Sequence, residues 1–281
     1  MRKTLNIIGC GSVGKVLGKL WAINEVFDIR QVLNQSLESG SRAVGFMGVG
    51  EAVAGFGALR PADIYMIATP DDAIASACAA LAQTGLLSAK SIVFHCSGAL
   101  RAAELAQASA RGASVASIHP IRSFAAPEQL VSGFAGTFCG MEGDKNALDI
   151  LGQAFAAIGA LTVEIDPEFK GVYHAAAVFA SNYLVTVLDV ALQAYERAGI
   201  PGDVALRLME PLTRGAIDNV FSLGTTDALT GPIARGDIAT AVRQYRVVRA
   251  WDERFGKLYK QLAKLTSEIA ARRTAIGKTK P

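Results

Sequence analysis

The sequence is poor in histidine, cysteine and aromatic residues: three histidines (His95, His119, His174), four cysteines and 7% Phe, Trp and Tyr among 281 residues. The cysteines, Cys10, Cys78, Cys96 and Cys139, lie in apolar segments and form no C-x-x-C pair, so reduced thiols in a cytoplasmic protein are expected. Charge of either sign is in short supply too. The net charge is +3, and much of the excess falls after Lys257 (Lys260, Lys264, Arg272, Arg273, Lys278, Lys280). With few aromatics interleaved, that stretch reads as a solvated helix face, and nucleic-acid binding is not expected. Met1-Arg2-Lys3 runs straight into an apolar strand pattern, so no signal peptide is expected. The longest uncharged stretch, Ala175 to Leu188, contains Ser181, Asn182 and Thr186 and reads as a buried helix too short and too polar to span a bilayer. The His and acid spacing predicts no metal site.

What is present is a 51% hydrophobic chain, long enough for two modest domains, each with its own core. Its most informative stretch is Gly9-Cys10-Gly11-Ser12-Val13-Gly14. It follows the apolar run Leu5-Asn6-Ile7-Ile8 and opens the helical pattern Lys15 to Trp21. In that context the glycines have separate tasks: Gly9 permits the tight turn, Gly11 lets a pyrophosphate approach the backbone, and Gly14 lets the helix pack on the strand. The free amides of Ser12, Val13 and Gly14 then face the phosphates. Gly9, Gly14 and Lys15 also fit most of a phosphate loop, but Val16 supplies no hydroxyl for magnesium.

A second strand is predicted over Phe27 to Leu33, ending in Asn34-Gln35-Ser36. No acid stands there to bond the ribose hydroxyls of NAD, so these three residues, with Arg42, are expected to receive the 2′-phosphate of NADP, NAD being the alternative. Val44 to Gly48 reads as a short irregular piece. Asp63 to Ala68 is a buried strand whose end, Thr69-Pro70, lines the cofactor, with Asp71 or Asp72 capping the next helix. Further strands are predicted at Ser91 to Phe94, Ser114 to Ile118, Gly136 to Gly140 and Leu161 to Ile165, with a helix over Asn146 to Ile158. His95 reads as a satisfied core-edge histidine, Ser97 as a cofactor neighbour, and His119 before Pro120 as a rigidly held strand-end residue facing either core or substrate.

Asp166-Pro167 marks the expected boundary between a Rossmann-type doubly wound domain (1–166) and an all-helical domain (167–281). The second domain is predicted to hold a long helix over Glu168 to Ala198, a helix over Asp203 to Asn219, and a helix capped by Asp237. Within the long helix Lys170, His174 and Ser181 share one stripe. Lys170 or His174 there supplies a proton to a carbonyl or imine receiving hydride, while Ser181 or Asn182 orients the substrate in the crevice between domains. Arg235 either binds an anionic group or belongs to an interhelix loop.

Several stretches together resemble a family of NADP oxidoreductases with a Rossmann-like domain and a helical C-terminal domain of unknown function. They are Gly9 to Gly14, Phe94 to Leu100, Ile118-His119-Pro120 with Ser123-Phe124-Ala125, Lys170 to Ala177, Ala180 to Tyr183, and Leu229 to Ile233 with Arg235-Gly236-Asp237. The resemblance extends distantly to ketopantoate reductase, pyrroline-5-carboxylate reductase, the β-hydroxyacid dehydrogenases and deazaflavin-dependent NADP oxidoreductase. It implies a helical domain like that of 6-phosphogluconate dehydrogenase and a homodimer built through it. Lys170 matches the catalytic lysine of the β-hydroxyacid dehydrogenases, but the asparagine four residues on is His174 here. The expectation is an NADP-dependent oxidoreductase acting on a small anionic carbonyl or imine compound. The alternative is a protein that binds NADP(H) as a sensor without moving hydride.

Overall fold

The computed structural model describes residues 2–278. Its strands are β1 (Lys3–Ile8), β2 (Phe27–Leu33), β3 (Glu51–Val53), β4 (Ile64–Ile67), β5 (Ile92–His95), β6 (Ser114–Pro120), β7 (Phe138–Gly143) and β8 (Leu161–Glu164). The helices among them are α1 (Ser12–Ile23), α2 (Leu37–Met47), α3 (Asp71–Gln83), α4 (Ala106–Ser109), α5 (Pro127–Gly133) and α6 (Lys145–Ala156). Helices α7 (Lys170–Ala180), α8 (Asn182–Arg197), α9 (Gly202–Ala228), α10 (Ile238–Trp251) and α11 (Glu253–Lys278) complete the chain.

The eight strands form one sheet in the order β3-β2-β1-β4-β5-β6-β7-β8. All neighbouring pairs are parallel except β6–β7. The chain order reverses between β1 and β4, which is where doubly wound sheets open a crevice at their carboxyl ends. Alternation along the strands feeds a core on each face. Leu5, Ile7, Ile64, Met66 and Phe94 enter one cluster, while Tyr65, Ile67 and Val93 enter the other. Trp21 anchors the first, edge-on to Phe27 and Phe155, with its indole N–H donating to the Ala154 carbonyl at 3.0 Å.

The segment expected to be irregular at Val44 to Gly48 is the end of helix α2. Ser36 caps it by accepting the Ser39 amide at 3.1 Å, and Gly48 closes it with a φ of +79°. Its internal glycines hid the helical pattern; Gly40 is small because Ala52 lies against it. The three-residue strand β3 gave no sequence signal, and β7 begins and ends later than expected. Pro70, and neither acid, is the N-cap of α3; Asp71 and Asp72 occupy its first turn. Asp237 does cap α10, accepting the Thr240 amide at 3.0 Å.

The long helix expected over Glu168 to Ala198 is broken. A 3-10 turn at Pro167–Phe169 precedes α7, and Ser181 leaves helical geometry (φ −125°, ψ −70°) before α8 begins. Contacts divide the chain into two compact units, one ending at Ala180 and the other beginning at Ser181. In the second unit α9 runs past the expected end at Asn219 and bends at Gly224. The Ala175 to Leu188 stretch is not a buried helix within this chain. It lies inside a segment, Pro167–Arg197, that is long and apolar enough to cross a membrane by length and composition alone, with mean hydropathy 1.7 and none of its apolar window buried.

Candidate active site

The turn Gly9 to Gly14 joins β1 to α1 beside the end of β4. Gly9 has φ +80°, and a Cβ there would stand 2.4 Å from the Thr69 side chain, so the turn needs glycine for both conformation and space. A Cβ on Gly14 would meet Cys10 and Ala68, which is the close helix–strand approach its position demands. Gly11 is different: nothing lies within 4 Å of its Cβ position. It is also the N-cap of α1, without a side-chain cap, so the first amides of the helix are left for another acceptor.

That open corner belongs to a cavity of about 640 Å³. Its wall includes Gly9, Gly11, Lys15, Gln35, Arg42 and Thr69, and holds no Asp or Glu. Asn34 also lines it but is already engaged. Its Oδ1 accepts the Cys10 amide at 2.6 Å and its Nδ2 donates to Ser39 Oγ at 3.0 Å, so it ties the glycine turn to α2. Ser36 is consumed as the α2 cap and is not on this wall. Of the three residues expected to receive a 2′-phosphate, Gln35 is the one free to do so, with Arg42, which is ion-paired to Glu38, beside it. Ser12 is exposed in the first turn of α1, off the wall, and Pro70 is on it.

A second cavity of about 340 Å³ adjoins the first: Ala68 and Thr69 line both. Around it stand Val13, Ser97, Gly98, His119, Arg122 and His174, with Asp71 at the rim. The rings of His119 and His174 are 5.4 Å apart and nearly perpendicular. Gly98 is the reason they fit. A Cβ on it would lie 2.3 Å from His174 Nδ1 and 2.8 Å from His119 Nε2. Two buried polar atoms at this cavity, Thr69 Oγ1 and His174 Nδ1, have no hydrogen-bond partner among the described residues. Buried polar atoms left so are rare and point to an absent ligand or water.

His119 Nδ1 lies 3.1 Å from the Tyr173 hydroxyl, whose ring occupies the space left by Gly140. Burial, then His174 and Lys170, push His119 down to about 4, so the ring is neutral at pH 7. Burial pushes Tyr173 up to about 12, against a backbone hydrogen bond from Gly140. In the bond to His119 the hydroxyl donates to Nδ1 when the ring proton is on Nε2, and Nδ1 donates to the hydroxyl oxygen in the other tautomer.

His95 is a core histidine, as expected. Its Nδ1 accepts the Ser97 amide at 3.2 Å, its Nε2 reaches the Arg101 carbonyl at 3.0 Å, and burial pushes it down to about 4. Ser97 Oγ accepts the Ala99 and Leu100 amides and so builds the turn that carries Gly98.

Lys170 does not reach the cavity. It is wholly buried, donating to Glu142 Oε1 at 2.9 Å and to Ser117 Oγ. Glu142 Oε1 also accepts the Ala102 amide at 2.7 Å, and Ser117 Oγ donates to the Ser97 carbonyl at 3.3 Å. The helical spacing of Lys170 and His174 is right, but the lysine points into the sheet and the histidine into the cavity. Ser181 and Asn182 lose their phase relation to His174 at the Ser181 break and belong to the second unit, where Ser181 Oγ donates to Asn182 Oδ1 at 2.9 Å. Arg235, in a 3-10 turn of that unit, is exposed. Arg122 is the wall residue the sequence reading missed; its signal was its place three residues after His119 and beside Ser123-Phe124.

Comparisons with known proteins agree with this architecture. The Rossmann-like domain matches residues 1–120, and the domain of unknown function DUF2520 matches residues 137–266. The chain is 25% identical to protein TM1727 from Thermotoga maritima over 96% of its length and 99% of that chain, with a TM-score of 0.74. BF3122 from Bacteroides fragilis, described as a candidate NADP oxidoreductase, is 21% identical over 95% and 98% of the two chains, with a TM-score of 0.75. An imine reductase from Myxococcus stipitatus in complex with NADP+ shares the fold at 16% identity, covering 98% and 95%, with a TM-score of 0.62. No curated protein matches the sequence.

Proposed function

We propose that this protein is an NADP-dependent oxidoreductase that moves a hydride to or from a small carbonyl or imine compound. The observation that carries this reading is the continuity of the two cavities. The open glycine turn and the paired histidines share one wall, Ala68-Thr69, at the sheet's switch point. The residues suit a dinucleotide phosphate: Gly11 leaves room, the α1 amides await an acceptor, and Gln35, Arg42 and Lys15 line an acid-free wall. The NADP+ held by the structurally similar imine reductase supports the same choice.

When bound, NADPH supplies the hydride. The chain's own part is to bind, orient and handle the proton. Thr69 Oγ1 and His174 Nδ1 offer unfilled hydrogen-bonding capacity to whatever enters. His119 releases a proton from Nε2 to the substrate heteroatom and regains one at Nδ1 from Tyr173, which recovers it from solvent. Lys170 acts behind the wall: through Ser117 it holds the Ser97 carbonyl and so the Gly98 turn against both rings.

Gly11→Asp tests the assignment. Its side chain enters open space, so the thermal midpoint is expected to stay put while NADPH binding is lost through bulk and charge. Unchanged NADPH affinity in this variant contradicts the site.

The reading includes a homodimer through the helical unit, supported by exposed apolar residues such as Leu212, Phe221 and Val247. A cytoplasmic setting is supported by the four free thiols.

A further inference from the structure

The chemistry proposed above leaves the charge of the substrate open, and the second cavity has a residue that speaks to it. Arg122 lies in the loop between β6 and α5, three residues beyond His119. The loop is pinned by backbone bonds: the Ile121 amide donates to the Phe138 carbonyl at 2.8 Å, and the Arg122 amide to the Pro120 carbonyl at 2.9 Å. The guanidinium is fixed on one side only, Nη1 donating to Thr137 Oγ1 at 3.4 Å. Thr137 is itself buried and bonded to the Phe134 carbonyl, so it is a firm anchor.

The other arginines around the sheet set the contrast. Arg2, Arg30, Arg42, Arg60 and Arg101 each sit against a carboxylate; Arg111 is exposed in a turn and lines neither cavity. Among the described residues none lies within ion-pair distance of Arg122, although Asp71 shares its cavity. A guanidinium has five N–H donors in a planar fork. One is committed to Thr137 and Nη2 lies near Gly133, while the exposed side chain lines a cavity that also holds His119 and His174. Arg122 is the one arginine or lysine on this wall, and a guanidinium keeps its charge at any pH near neutral. Pro120 and Phe124 supply apolar wall between, which suits a short carbon skeleton.

We infer that Arg122 is the anchor for a carboxylate on the substrate, so that the compound reduced at the histidines is a small oxo or imino acid rather than a neutral ketone or imine. This rests on the oxidoreductase reading and deepens it. The guanidinium fork takes a carboxylate by two parallel N–H···O bonds, a geometry that lysine or a neutral amide does not reproduce.

The test uses the intact protein saturated with NADP+ and follows binding by calorimetry. The probes are pyruvate and 1-pyrroline-2-carboxylate, each beside its uncharged counterpart, methyl pyruvate and 1-pyrroline. Wild type, Arg122→Gln and Arg122→Lys are compared, and NADPH affinity is measured in all three. The expected result is that an acid binds the wild type, its neutral counterpart binds more weakly, and Arg122→Gln loses about 10- to 100-fold in affinity for the acid alone. Arg122→Lys should fall between, since it keeps the charge and loses the fork. NADPH affinity should be the same in all three. Equal acid affinity in Arg122→Gln, a preference for the neutral partners, or no binding of either acid overturns the carboxylate anchor while leaving the cofactor site standing. Failure of NADPH to bind the wild type overturns the reading beneath it.

Discussion

An ammonium buried without compensation costs several kcal/mol, and Lys170 is compensated by Glu142 and Ser117. Burial pushes its acidity constant down, against the pull of Glu142, yet geometry keeps it out of the cavity. The role proposed for it is to position the Ser97-Gly98 turn. Lys170→Met should strand the Glu142 carboxylate in the interior and cost about 3–5 kcal/mol, read from denaturant midpoints. Pairing it with Glu142→Gln should recover much of that loss. A Lys170→Met protein with wild-type stability and no turnover would instead make Lys170 a proton donor. The same residue shows what periodicity conveys and what it does not. Spacing of four put Lys170 and His174 on one helix face, and both are where that spacing places them. Which way a long side chain leans depends on a partner from another strand, Glu142, and no local pattern encodes that. Arg122 was illegible for the same reason: a loop arginine is ordinary until the tertiary fold brings it beside two histidines.

At the scale of elements, the strand–turn–helix unit at Gly9 to Gly14 was legible, because Gly9 and Gly14 answer steric needs that the chain itself imposes, while Gly11 leaves open space. The end of β2 was legible only in part. Asn34 and Ser36 have the right polarity for a phosphate, but the nearer backbone took them first, as a tie to the glycine turn and as a helix cap. The break between α7 and α8 was invisible because Ser181 sits in an unbroken apolar pattern with no glycine or proline nearby. The helices after it expose large apolar side chains, with Phe221 at 86% and Val247 at 66%. Light scattering on the protein without detergent is expected to give the mass of two chains. A mass of one chain contradicts a helical-unit dimer, and solubility only in detergent would instead point to membrane insertion of Pro167–Arg197, which is long and apolar enough by length and composition.

For the whole molecule, the sheet order and the two adjoining cavities support the proposed reading, in which a dinucleotide phosphate enters over Gly11 and chemistry occurs past Thr69. The most direct measurement is a parallel calorimetric titration of the protein with NADPH and NADH. NADPH is expected to bind about 10- to 100-fold more tightly, the worth of one charge-assisted contact from Arg42 or Lys15 to the 2′-phosphate. Equal or tighter binding of NADH would contradict the role of that acid-free wall, and binding of neither would contradict the oxidoreductase itself.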